Sequence, residues 1–320
     1  MTDNPFDLDY REPAQPDIYD TFDRERLPEQ NAAPRPANVG KVTRLPSAEY
    51  HADPAPEPSL SATLAKLIIS RSPRHAWMAS PSLNPDRKPI HKKTFDIGRA
   101  AHRAILGCGD DYVMIPDDIL ASNGAASTKE AKAFIADARE RDLTPLKGDE
   151  IAQVEAMREI AHARLTEHGV ALDPARSELC AIAQIEGVWC RAMFDNVPED
   201  PRLPIYDFKT CEDASPDACM RAILNYGYDI QAEHYRAVWK AATGEDRNFV
   251  FIFQEKPEPN EVTLIRLSGS FEAMAKRRAA RARRVWGECS ASGNWPGYPI
   301  GLHEVDAPAW LVEREFQEEM

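Results

Sequence analysis

The chain has no apolar run of about 18 residues, and no basic segment followed by an apolar stretch at its start, so neither a membrane span nor a secretory signal is expected. It also lacks any C-x-x-C pair. Its six cysteines, Cys108, Cys180, Cys190, Cys211, Cys219 and Cys289, are scattered, and reduced thiols in a cytoplasmic protein are the simplest expectation. No internal repeat is evident, which sets repeat architectures aside. A general positive field is missing too. With a formal net charge of −13, any polyanion has to be met by a local basic strip.

What is present supports one substantial core: 320 residues, 43% of them hydrophobic. Residues 1–47 are crowded with Asp, Glu and Pro, and their few apolar residues, among them Phe6, Ile18, Tyr19 and Phe22, show no period. A disordered acidic tail is expected there, with Ile18 to Phe22 as a short docking motif the alternative. Residues 48–320 are expected to form a single domain. Pro54, Pro56 and Pro58 lead into a helix that Ser59 or Ser61 can cap. Thr128 to Arg141 and Asp149 to His168 read as helices separated by Pro145 and Gly148. Asn248 to Gln254 and Val262 to Leu267 read as strands, and Ser270 to Trp286 as a helix.

The most informative stretch runs from Glu178 to Lys209. Leu179 to Ile185 and Val188 to Phe194 are apolar runs joined by Glu186-Gly187, a two-residue hairpin loop. With Ile185 opposite Val188, Leu179, Ala181 and Ala183 fall opposite Phe194, Ala192 and Cys190 on one apolar face. The same register sets Glu178 across from Asp195 at the open end. Two carboxylates there repel unless something positive stands between them, so at least one is expected to have a raised pKa. Beyond the hairpin, Asp207 and Lys209 flank Phe208, and in a strand residues i and i+2 share a face. A carboxylate beside an ammonium can hold a divalent ion while a water is oriented or deprotonated.

Two further segments carry candidate residues. In the helical stretch from Phe95 to Leu106, Gly98 and His102 lie one turn apart on one side; downstream, Gln231 and Tyr235 share a face at i, i+4. Lys276, Arg277, Arg278 and Arg281, with Arg283 and Arg284, form one basic strip, either a solvated helix face or a DNA contact. Arg87, Lys88, Lys92 and Lys93 form a second.

In this order, G-x-x-x-H, E, D, D-x-K and Q-x-x-x-Y, the pieces resemble the RecB-type branch of the PD-(D/E)XK nuclease superfamily, most closely the nuclease domain of exodeoxyribonuclease VIII (RecE)-like phage exonucleases. Ser59-Leu60-Ser61 with Leu64 and Ser72-Pro73 looks like that family's opening helix, and Trp295-Pro296-Gly297-Tyr298 resembles its closing element. The resemblance implies an α/β, restriction-endonuclease-like core with a central mixed β-sheet flanked by helices. It further implies that His102, Glu178, Asp195, Asp207 and the Phe208 carbonyl surround Mg²⁺, for which Mn²⁺ substitutes, and that Lys209 poises the attacking water. Gln231 and Tyr235 would support the site or touch the substrate strand. Cys289 stands alone where some relatives carry a cysteine group, so no iron–sulfur cluster is expected.

The implied activity is hydrolysis of linear duplex DNA from 5′ ends, exposing 3′ single strands for recombination with an annealing protein, by a ring-shaped homo-oligomer. Two alternatives remain at this point: another PD-(D/E)XK endonuclease or single-strand repair nuclease, and a non-catalytic recombination scaffold or adaptor.

Overall fold

The structure, a computed structural model, describes residues 42–87, 96–109 and 111–317. Phe6, Ile18, Tyr19, Phe22, Lys88, Lys92, Lys93 and Phe95 lie outside the described residues. The chain divides into a large unit, residues 32–295, and a second unit that includes residues 296–320. The described part of the second unit is an irregular segment followed by a helix at Ala309–Gln317.

The large unit contains β1 (Thr43–Arg44), α1 (Ser47–His51), β2 (Leu60–Ser61), α2 (Ala62–Ser70), α3 (Pro73–Ala79), α4 (Asp96–Leu106), β3 (Tyr112–Met114), α5 (Lys129–Glu140), β4 (Thr144–Leu146), α6 (Gly148–Glu167), β5 (Ser177–Ile185), β6 (Val188–Asn196), β7 (Ile205–Cys211), α7 (Pro216–Tyr226), α8 (Tyr228–Thr243), β8 (Phe249–Glu255), β9 (Val262–Ile265) and α9 (Gly269–Ser292). Strands β1-β5-β6-β7-β8-β9 form one mixed sheet, with β2 added to β6. Strand β7 runs parallel to β8, whereas β5, β6 and β7 are successively antiparallel. The fold class is therefore the one expected: α/β, a mixed sheet flanked by helices. Thr43 and Arg44, placed by their composition in the tail, instead add an edge strand to β5.

The β5–β6 hairpin follows the register read from its apolar alternation, Ile185↔Val188 through Leu179↔Phe194. Both loop residues have positive φ, Glu186 at 52° and Gly187 at 82°. That is the two-residue turn whose twist matches the strands it joins. Alternation along β7 and β8 divides the core. Ile205, Phe249, Phe251 and Phe253 pack with the hairpin's apolar face against α2, α8 and α9. Tyr206, Phe208 and Ile252 pack on the opposite side against α4 and α6. A strand buried on both faces needs apolar residues at nearly every position, which is why these runs read as continuous.

Part of the hairpin's second face is buried as well. Arg191, 3% exposed, pairs there with Asp53 Oδ1 at 3.0 Å and donates to the Ser59 carbonyl and hydroxyl, each at 2.7 Å. Ser59 and Ser82 hydroxyls donate to the same carboxylate, each at 2.6 Å, and Arg191 lies over the Tyr50 ring.

One prediction arises in α8. The His234 ring is fully buried, with Nε2 3.0 Å from the Arg191 carbonyl and no partner at Nδ1, and burial pushes its pKa down from 6.5 to about 4. Because the folded value is depressed, the unfolded chain takes up a proton that the folded one excludes. The resulting stability, about 3 kcal/mol, is present above pH 6.5 and is lost as pH falls to about 4. His234→Gln, which keeps a donor for the carbonyl, should flatten the dependence of the urea midpoint on pH across that window. Parallel curves for the two proteins would refute the assignment.

Candidate active site

Strands β6 and β7 meet through a single pair, Asn196↔Tyr206. Beyond it β7 continues beside β8, and the next residues of β6 and β7 share no ladder. Helix α8, started by Gly227 in the left-handed conformation (φ 62°), packs against the hairpin and sets Gln231 toward this parting. Helix α4 comes from the opposite face of the sheet. Its Gly98 permits the approach, since a Cβ there would lie 3.0 Å from Thr210 Oγ1.

These elements bring six of the sequence candidates together. Lys209 Nζ pairs with Asp207 Oδ2, and Gln231 Nε2 donates to Asp207 Oδ1 at 2.8 Å. Asp195 Oδ2 accepts the Phe208 backbone N–H at 2.7 Å, and its other oxygen lies 3.2 Å from His102 Nε2. The N–H and C=O of a strand residue project toward the same neighbouring strand, so the Phe208 carbonyl also points to the β6 side.

Glu178 joins through its unusual backbone. The ladder holds at Leu179↔Phe194 and Ser177↔Asn196 but omits the intervening pair, and Glu178 has a φ of 50°. Its Oε1 stands 3.8 Å from His102 Nδ1. Gly109, at φ 111°, makes room: a Cβ there would come within 2.7 Å of that oxygen. The imidazole thus bridges the two carboxylates that the hairpin register set against each other.

The electrostatics follow. Burial alone would raise Asp195, but the charge and hydrogen bond of His102, then Lys209 and the Phe208 N–H, outweigh it and hold Asp195 below the usual carboxylate range. Burial likewise opposes a charged His102, yet Asp195 and Glu178 raise its pKa. Asp207 is the carboxyl driven up, to about 6, by burial first and only partly relieved by Lys209. Of the two carboxylates that the hairpin register brings together, Asp195 is therefore not the raised one. Lys209, despite burial, is held protonated by Asp207 and Asp195.

Sequence reasoning missed Lys66 and Tyr228. The Tyr228 ring carries Lys209 Nζ 5.2 Å from its centroid and Lys66 Nζ at 5.3 Å. Burial and then Lys209 lower Lys66 to about 8. Lys66 is the one charged residue in the mostly apolar helix α2, a signal that was open to reading.

Other candidates lie elsewhere. Tyr235 packs in the core against Phe194 and Phe249, at centroid distances of 5.3 and 6.3 Å. Arg278 is committed to Asp229, whose side chain is fully buried, at 2.6 Å. Arg277 and Arg281 line a separate cavity, and Lys276 is not among its lining residues.

The donors present suit a hard divalent cation: three carboxylates and an imidazole, with a raised Asp207 that a cation would relieve. Among the described residues no three such side chains stand in a metal-holding arrangement, and His102, the Phe208 N–H and Lys209 engage the carboxylate oxygens. A bound cation would take over the positions that these groups neutralise.

Residues 64–301 match the family model described as "PDDEXK-like domain of unknown function (DUF3799)". Among solved structures, a "Putative exonuclease" from Eubacterium rectale is similar at 16% identity, over 81% of this chain and 97% of that one, with a TM-score of 0.49. A "phage related exonuclease" from Haemophilus somnus 129PT is similar at 14% identity, over 61% of this chain and 95% of that one, with a TM-score of 0.29. No curated protein matches.

Proposed function

Because this chain belongs to the PDDEXK-like family of unknown function (DUF3799), we propose that it is a divalent-metal-dependent deoxyribonuclease that degrades linear duplex DNA from its ends. The observation that carries this reading is the convergence of Asp195, Asp207, Lys209, His102 and Gln231 where β6 and β7 part. Polarity from 5′ to 3′, 3′ single strands for recombination, a ring-shaped assembly and an annealing partner all rest on the sequence resemblance.

Asp195, Asp207, Glu178, His102 and the Phe208 carbonyl would hold Mg²⁺ or Mn²⁺, which when bound would make a water easier to deprotonate and neutralise charge on the phosphate. Lys209, held protonated, donates to the attacking water or a phosphate oxygen and so orients rather than abstracts. Lys66 brings a second ammonium beside it. Gln231 positions Asp207 through its amide, and Tyr235 braces α8 against the hairpin. With most of the protein acidic, these two ammonium groups and the cation are what permit a polyanion to approach.

The test uses end-labelled linear duplex and covalently closed circular duplex, each with Mg²⁺. Linear DNA is expected to be consumed from its labelled 5′ ends while the circle persists. Efficient cutting of circles would move the reading to an endonuclease, and loss of neither substrate would favour a scaffold.

A further inference from the structure

Away from the candidate active site, the tip of the β5–β6 hairpin and helix α9 line an open-sided cavity of about 610 Å³. Arg277, Arg281 and Arg284 recur at i, i+4 and i+7 along α9 and line it together with Arg283, Val188 and Glu186. Gly287, one turn further, lets the helix lie against the hairpin, since a Cβ there would stand 3.0 Å from Val188 Cγ2.

Arg283 is the unusual member. It is 7% exposed, yet its Nε and Nη1 have no hydrogen-bond partner, and Glu186 Oε2 stands 3.9 Å from Nε. A guanidinium taken out of water with unmet donors is costly, and an acceptor-rich anion is the ligand that offsets the cost. Of the two lining carboxylates, Glu288 is turned to Arg284 at 3.7 Å and Glu186 sits at the rim on the tight two-residue turn it forms with Gly187, so the four arginines predominate.

We propose that this cavity is a second phosphate seat, in which Arg283, with Arg277, Arg281 and Arg284 around it, takes a backbone phosphate of duplex DNA. The proposal rests on the nuclease reading for the identity of the anion. Planar guanidinium forks match phosphate oxygens two at a time, and DNA offers such groups at regular spacing. From Asp195 to Val188 the hairpin covers seven strand steps, about 23 Å, which corresponds to about seven base pairs. A duplex whose end lies at the carboxylates would reach the cavity with its eighth pair or so, and a shorter one would not.

The experiment measures equilibrium binding without divalent metal, across a salt series, for a duplex of about 20 base pairs and a stem-loop of about five. Wild type is compared with Arg283→Met and with the double variant Arg277→Gln/Arg284→Gln, whose side chains are at the cavity rim and which keeps the test decisive if the buried change impairs folding. Both variants should bind the long duplex about tenfold more weakly, with the slope of log K against log salt reduced by about one to two, and should bind the stem-loop as wild type does. Unchanged affinity and slope for the long duplex in the double variant would overturn the seat. Equal losses on both probes, or wild-type preference for a Glu-rich peptide competitor over DNA at this cavity, would overturn it too. Because binding is read without cleavage, failure of the nuclease reading would show separately, as intact linear DNA in the presence of Mg²⁺.

Discussion

Asp207→Asn is expected to slow phosphodiester hydrolysis by about a thousandfold or more while the protein remains folded. The side chain is 1% exposed, accepts from Gln231 at 2.8 Å and pairs with Lys209, so its replacement removes the one carboxylate that links the cation site to the lysine. Stability should not fall in parallel. With a pKa raised from 3.8 to about 6, Asp207 contributes stability fully present below pH 3.8 and lost as pH rises through about 6. Above that pH the buried charge is a cost, and asparagine removes it, although Lys209 then loses a partner. Thermal unfolding at neutral pH should therefore give similar midpoints for the two proteins without metal. Addition of Mg²⁺ should raise the midpoint of the wild type alone. Degradation at the wild-type rate by pure variant protein would remove Asp207 from the catalytic set.

Asp53→Ala should destabilise the fold by about 3–5 kcal/mol, the usual consequence of leaving a buried charge without its partner. The side chains of Asp53 and Arg191 are 0% and 4% exposed, and the carboxylate also receives both serine hydroxyls and the Ser59 N–H. Removing it strands a guanidinium beneath the hairpin. Urea denaturation measures the loss directly. Replacing both partners together, as Asp53→Leu with Arg191→Met, should recover much of it, because an apolar pair carries no stranded charge. A loss below about 1 kcal/mol in the single variant would mean that water reaches Arg191 and that the pair is not the clamp its burial suggests.

Much of the site was legible because its signals are local. The hairpin register follows from apolar alternation across Glu186-Gly187, and Asp207 with Lys209 from the two-residue repeat of a strand. Gln231 and His102 could be placed on helices by spacing, although what they touch could not. Contacts that join distant segments left no local trace. Arg278 looked like part of a basic strip until Asp229, 49 residues earlier, accounted for it. The left-handed backbone of Glu178 depends on a glycine 69 residues away that leaves space for its carboxylate. The same holds for Arg191, whose partners Asp53 and Ser59 precede it by more than a hundred residues. Tyr235 read as a partner of Gln231 in supporting the site or touching the substrate strand, because one helical face cannot reveal which sheet will cover it.

The parting of β6 and β7 also bears on the life of the chain. Glu178 and Asp195 belong to the hairpin, Asp207 and Lys209 to the parallel pair of β7 and β8, and His102 to a helix on the far face. The two strand groups are joined by a single rung. A polypeptide that has completed only one of these pieces, whether still emerging from the ribosome or partly unravelled, holds at most a fraction of the acidic cluster. Under the proposed function, destructive chemistry would thereby be tied to finished folding, with maturation itself as the safety catch.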